Sequence, residues 1–198
     1  MQRNLPRLDK NVHSLARLFV AAFTLLALGD TVHVGFRVLA LAMGGSESTI
    51  SIAGQPMRLV GLGTLTTSVT VTVFYVLILA IWRQRFNKSY GWFEIGLFTA
   101  AVVRMVMLPV NEWNAAIPPQ PCATYRNIPL MLQGLGAACL ILREANANKD
   151  RTFIWCGWMI VTSYAFLIPV ILTVQEFPPI GMLMIPKTLA YVAIAVIV

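Results

Sequence analysis

The sequence predicts an all-α integral membrane protein, a bundle of six transmembrane helices with the N-terminus and C-terminus in the cytoplasm. Three observations predict it. The 198 residues are 58% hydrophobic and only 12% charged, whereas a soluble domain carries about 25% charged residues. Mean hydropathy is +0.73, and the apolar residues fall in runs near the roughly 20 residues that cross a bilayer. Lysine and arginine alternate from loop to loop, as the positive-inside rule requires.

Six apolar segments, at about 15–43, 59–82, 91–110, 128–143, 153–174 and 180–198, form one transmembrane domain over residues 1–198. The first follows a polar, basic N-terminus, Met1 to Asn11. It is too long for a signal-peptide core and no small-residue cleavage site follows it, so it reads as a span. A loop of Gly, Ser, Glu and Thr covers 44–57. The second segment is rich in threonine and ends at Arg83-Gln84-Arg85-Phe86-Asn87-Lys88. The third stops at Pro109 and Asn111-Glu112-Trp113-Asn114, before a proline-rich loop. The fourth is short. The polar stretch Glu144 to Arg151 separates it from the fifth, and Phe177-Pro178-Pro179 leads to the sixth. Barrel strands are excluded, because they need about 10 residues of alternating pattern rather than uniform apolar runs.

One set of loops holds Arg3, Arg7, Lys10, Arg17, Arg83, Arg85, Lys88, Arg143, Lys149 and Arg151. The opposite set holds Arg58 and Arg126. The basic set is therefore cytoplasmic, and the protein is expected as a multi-pass protein of the plasma or inner membrane. The net charge of +7 sits in these loops, which excludes nucleic acid as the reason for it. Trp92, Trp113, Trp155 and Trp158 lie near segment ends and read as interface anchors. Gly29, Gly35, Gly61 and Gly63 read as points of close helix contact. Pro109, Pro169 and Pro186 read as kinks. Cys139 and Cys156 read as small core residues, with no CxxC and no metal spacing around them.

The first segment contains Gly29-Asp30-Thr31-Val32-His33-Val34-Gly35-Phe36-Arg37. Asp30, His33 and Arg37 share one helix face, since residues three, four and seven apart align. Ionisable groups at membrane depth are costly and mark function by default. Ordered by topology, most other polar and ionisable residues at membrane depth also fall in the outer half, among them Thr67, Thr70, Arg104, Asn111, Glu112, Arg126, Asn127 and Lys187. A single polar cavity opening outward accounts for them. Four cations (Arg37, Arg104, Arg126, Lys187) face three acids (Asp30, Glu112, Glu176), which leaves a cation for an anionic ligand group, a task that suits arginine.

The first functional expectation is binding of a small anionic or zwitterionic substrate, as a transporter or substrate-capture subunit. Substrate contacts are expected from Arg37, Thr67, Thr70, Arg104, Asn111, Glu112, Arg126, Asn127 and Lys187. In size and topology the chain is broadly similar to the membrane-embedded substrate-capture subunits of vitamin uptake systems. That likeness implies partner membrane proteins as the energy source, because the sequence has no nucleotide-binding loop. The alternative is an intramembrane hydrolase or transferase acting on a lipid-like substrate, with Asp30 and His33 catalytic. A structural subunit of a larger complex is the third reading. A zinc site is not expected, since His13 is the other histidine and precedes the first span. An aspartyl protease is excluded, because Asp9 and Asp150 lie in polar loops. No motif identifies a cofactor.

Overall fold

The computed structural model describes residues 5–109, 114–115, 117 and 119–198, with side chains described from Val12 onward. The elements, in order, are α1 (Leu5–Ala42), β1 (Thr49–Ile52), β2 (Gln55–Arg58), α2 (Leu59–Phe86), α3 (Trp92–Met107), α4 (Cys122–Ala147), α5 (Arg151–Thr173) and α6 (Met184–Ile197). A 3₁₀ segment, Pro178–Leu183, leads directly into α6. The class is all-α, with one small hairpin.

Five stretches are long and apolar enough to cross a membrane: Val12–Ala42, Leu59–Phe86, Cys122–Ala147, Arg151–Thr173 and Pro178–Ile197. The chain is a multi-pass helical membrane protein on this basis. The third apolar segment gives a helix of 16 residues, about 24 Å at 1.5 Å per residue. That is short of a hydrocarbon core of about 30 Å. The outward faces carry large apolar side chains, among them Val20, Leu28, Val102, Leu132 and Val196, as lipid contact allows. Trp92, Trp155 and Trp158 are exposed at the starts of α3 and α5, whereas Trp82 is buried in the core. Trp113 lies outside the described residues.

The helix ends follow local chemistry. Asn87 takes the left-handed conformation (φ 50°) that closes α2, as asparagine tolerates there. Asp150 caps α5 by accepting from the Phe153 amide at 3.3 Å. Glu94 accepts from the Gly91 amide at 2.7 Å, so this acid is a helix cap. Helix α4 begins at Cys122 rather than near 128. Gln120 makes the earlier start possible: its Oε1 accepts from both the amide and hydroxyl of Thr124. Its Nε2 donates to the Ile171 carbonyl at the far end of α5 at 2.5 Å. Pro129 then falls inside α4 and Pro169 inside α5. Pro186 is the third residue of α6. It starts that helix instead of kinking it, because first-turn amides need no intrahelical acceptor. Pro109 follows the end of α3.

The expected loop 44–57 is mostly a hairpin. Strands β1 and β2 pair antiparallel with Thr49 opposite Arg58 and Ile52 opposite Gln55. Ala53 (φ 52°) and Gly54 (φ 79°) form the turn, both left-handed as a two-residue type I′ connection requires. Arg58 pairs with Glu47 at 2.8 Å, and its amide donates to Asn114 Oδ1 at 2.8 Å.

Helix α2 is the centre of the bundle, against α1, α3 and α4, while α5 packs between α4 and α6. With lipid as the alternative neighbour, such packing depends on close van der Waals fit and interhelical hydrogen bonds. The α1–α2 seam uses small residues for this. Gly29 lies directly under Thr70, and Gly63 lies against His33. Gly61 instead meets Asn114, and Gly35 has open space around it, so only two of the four glycines serve helix contact. Phe74, Tyr75, Tyr164 and Tyr191 fill the middle of the core. Cys156 is buried with them, but Cys139 is exposed on α4, against the expectation that both pack inside. The basic loops meet at one end of the bundle. There Arg85 pairs with Asp150 at 2.7 Å and Lys88 with Glu144 at 2.8 Å.

Candidate functional site

Arg104, one turn from the end of α3, turns inward and is 2% exposed. Its Nη1 donates to Thr72 Oγ1 of α2 at 3.0 Å. Its Nη2 donates to Asn127 Oδ1 of α4 at 3.4 Å. Both acceptors are neutral. No carboxylate of the described residues lies within ion-pair distance of this guanidinium. Its Nε is buried without a hydrogen-bond partner. Leaving a buried ion uncompensated costs several kcal/mol.

The surroundings explain why the side chain points here. Thr72 is held by its own hydroxyl bond to the Ser68 carbonyl at 2.7 Å, a common arrangement for threonine in a helix. Gln133 of α4 donates to the Thr72 carbonyl at 3.2 Å. Asn127 is fixed by donating to the Ala123 carbonyl at 2.8 Å. Tyr164 of α5 lies over Gly134 and donates to the Leu130 carbonyl at 2.9 Å. Tyr75 and Tyr191 share a hydroxyl–hydroxyl hydrogen bond of 2.5 Å. Lys187 places its amine 5.8 Å from the centre of the Tyr191 ring, within cation–π reach. Two further polar atoms in the bundle interior, Gln133 Oε1 and Ser163 Oγ, have no hydrogen-bond partner.

The charges form a continuous series. Arg126, 4% exposed, and Lys187 both act on Arg104 through space. Lys187 and the Asp30 carboxylate act on one another through space, as Asp30 and Arg37 both act on His33. Asp30 and His33 of α1, Arg104 of α3, Arg126 and Asn127 of α4 and Lys187 of α6 are thus linked pairwise, Arg104 to Asn127 by a hydrogen bond and the rest through space. The other expected residues behave differently. Arg37 is exposed on α1. Thr67 donates to the Gly29 carbonyl at 3.1 Å, and Thr70 back-bonds to Thr67 at 3.1 Å. Their hydroxyls are thus engaged in the α1–α2 seam. Asn111 and Glu112 lie outside the described residues.

For acid–base chemistry the geometry offers less. Among the described residues no hydrogen bond joins Asp30 to His33, and His33 Nδ1 is buried against Gly63 without a well-aligned partner. The described residues contain no group of three potential metal ligands. A shallow groove of about 600 Å³ runs along His13, Arg17, Thr24 and Leu28 of α1.

Sequence reasoning missed Gln133, Tyr75 and Tyr191. A lone glutamine inside an apolar run was a signal for the first. The tyrosines gave none, since aromatic rings in a span read as ordinary core. Comparison with protein-family models, curated proteins and solved structures finds no match to this chain.

Proposed function

We propose that this protein binds a small anionic or zwitterionic molecule at Arg104, as a transporter or substrate-capture subunit. In this reading six helices cross the bilayer, with α3 as the third. The basic loops are cytoplasmic, and the site lies in the outer half. The observation that carries the reading is the Arg104 guanidinium: buried, unpaired with any described acid, and accompanied by Arg126 and Lys187. A ligand oxyanion would supply the missing countercharge and an acceptor for the Nε proton, and a guanidinium binds such groups in two-pronged fashion.

Thermal-shift measurements on the purified protein test this with small carboxylates, inorganic phosphate and amino acids as probes. The expected result is stabilisation by at least one probe that disappears in Arg104→Gln. Stabilisation that persists unchanged in Arg104→Gln and Lys187→Gln sinks the reading.

A further inference from the structure

The basic end of the bundle holds a charge arrangement separate from Arg104. The Glu144 carboxylate of α4 is buried, with its side chain 9% exposed. Its Oε2 accepts from Lys88 Nζ at 2.8 Å, and Lys88 lies in the turn between α2 and α3. Its Oε1 accepts from Nε and Nη2 of Arg143 at 3.1 and 2.9 Å. One buried acid thus holds two cations side by side, one on each oxygen, and the trio keeps a surplus positive charge. Both cations reach outward, Lys88 being 43% and Arg143 65% exposed. Among the described residues neither has a second side-chain acceptor.

The surroundings say what meets them. Trp92 opens α3 four residues after Lys88 and is 89% exposed. Tryptophans on membrane helices settle at headgroup level, which sets the depth of the neighbouring cations. Arg143 shares a helix face with Cys139, Gly136 and Leu132, which lie four, seven and eleven residues before it. Cys139 and Leu132 are exposed, and Gly136 lies against Leu97 of α3. Arg143 therefore stands at the head of the α3–α4 seam, and an exposed apolar strip runs away from it along α4.

We propose that Lys88 and Arg143 hold the phosphate of an anionic phospholipid whose acyl chains lie along the α3–α4 seam. The phosphate accepts from the Lys88 ammonium and from the open Nη1 edge of Arg143, both charge-assisted bonds. A headgroup with its own cation, such as choline, would bring like charge against the pair. A soluble anion would meet the same two donors and gain nothing from the apolar strip below them. Glu144 is a positioning residue, because it fixes the two donors beside one another. The site does not depend on the reading given for Arg104.

Native mass spectrometry of the full chain in a neutral detergent tests this, with dioleoyl phosphatidylglycerol, dioleoyl phosphatidylcholine and inorganic phosphate as probes. Phosphatidylglycerol is expected to bind in clear preference to phosphatidylcholine, and millimolar phosphate is expected not to displace it. Arg143→Gln and Lys88→Gln are each expected to weaken phosphatidylglycerol binding about tenfold, as for one hydrogen bond to a charged group. Arg17 is the control: it is exposed on α1 at the same end, where Ser14 meets Gln84 at 3.4 Å. Arg17→Gln is expected to leave binding unchanged. Glu144→Gln is expected to weaken binding although it makes this end more positive. Equal binding of the two lipids would overturn the proposal. So would displacement by phosphate, which would make the site one for free anions. A loss in Arg17→Gln equal to that in Arg143→Gln, or tighter binding by Glu144→Gln, would reduce the site to diffuse surface charge and overturn it.

Discussion

Arg104 and Thr72 meet at 3.0 Å in the middle of the bundle, a guanidinium held by a hydroxyl. Thr72→Val keeps the shape and removes the acceptor, leaving one more guanidinium proton buried without a partner. The expected loss of stability is about 1–3 kcal/mol, read as a lower midpoint in thermal unfolding. Thr64→Val, whose hydroxyl only back-bonds to the Val60 carbonyl, is expected to be close to neutral.

Two glycines of α1 should respond oppositely to the same change. A methyl group at Gly29 would strike the Thr70 side chain, whereas one at Gly35 meets nothing within 4 Å. Gly29→Ala is expected to cost about 1–3 kcal/mol through overpacking. Gly35→Ala is expected to be neutral or to stabilise by up to about 1 kcal/mol through helix propensity. Parallel thermal melts check the pair.

Asp150 has two tasks at the basic end: it caps α5 and pairs with Arg85. Asp150→Ala is expected to cost about 1–2 kcal/mol, most of it from the lost cap, because Arg85 is 46% exposed and such pairs contribute little. Raising the salt concentration should therefore recover almost none of the difference between the variant and the parent, and a melt series in salt measures this.

The orientation has a direct readout. With Cys122, Cys139 and Cys156 replaced, Ser51→Cys on the hairpin is expected to react with a membrane-impermeant maleimide on intact cells. Asn148→Cys, between α4 and α5, is expected to react only after permeabilisation. The reverse pattern would place the basic loops outside and remove the outer-half location of the site.

The helices were legible because apolar runs of span length have one stable form in lipid. Boundaries were less so. The start of α4 at Cys122 depends on Gln120 reaching two helices, a tertiary contact that local pattern does not encode. The hairpin was within reach: Thr49 to Ile52 alternates before Ala53-Gly54, a pattern obscured by the polar composition of the stretch. In the site, the charged members Arg104, Arg126 and Lys187 stood out against the apolar background, and Asn127 stood out at the rim. Thr67 and Thr70 looked identical to Thr72 in sequence. Their different roles follow from which neighbour each faces, Gly29 of α1 or Arg104 of α3.

The Gln120 side chain ties the first turn of α4 to the last turn of α5 through Thr124 and Ile171. Spreading those two helices at this end would break the Gln120–Ile171 hydrogen bond and leave the two to Thr124 intact, since they lie within the start of α4. Gln120 is therefore a latch between the two helices, and parting them at this end forfeits one hydrogen bond, about 1 kcal/mol.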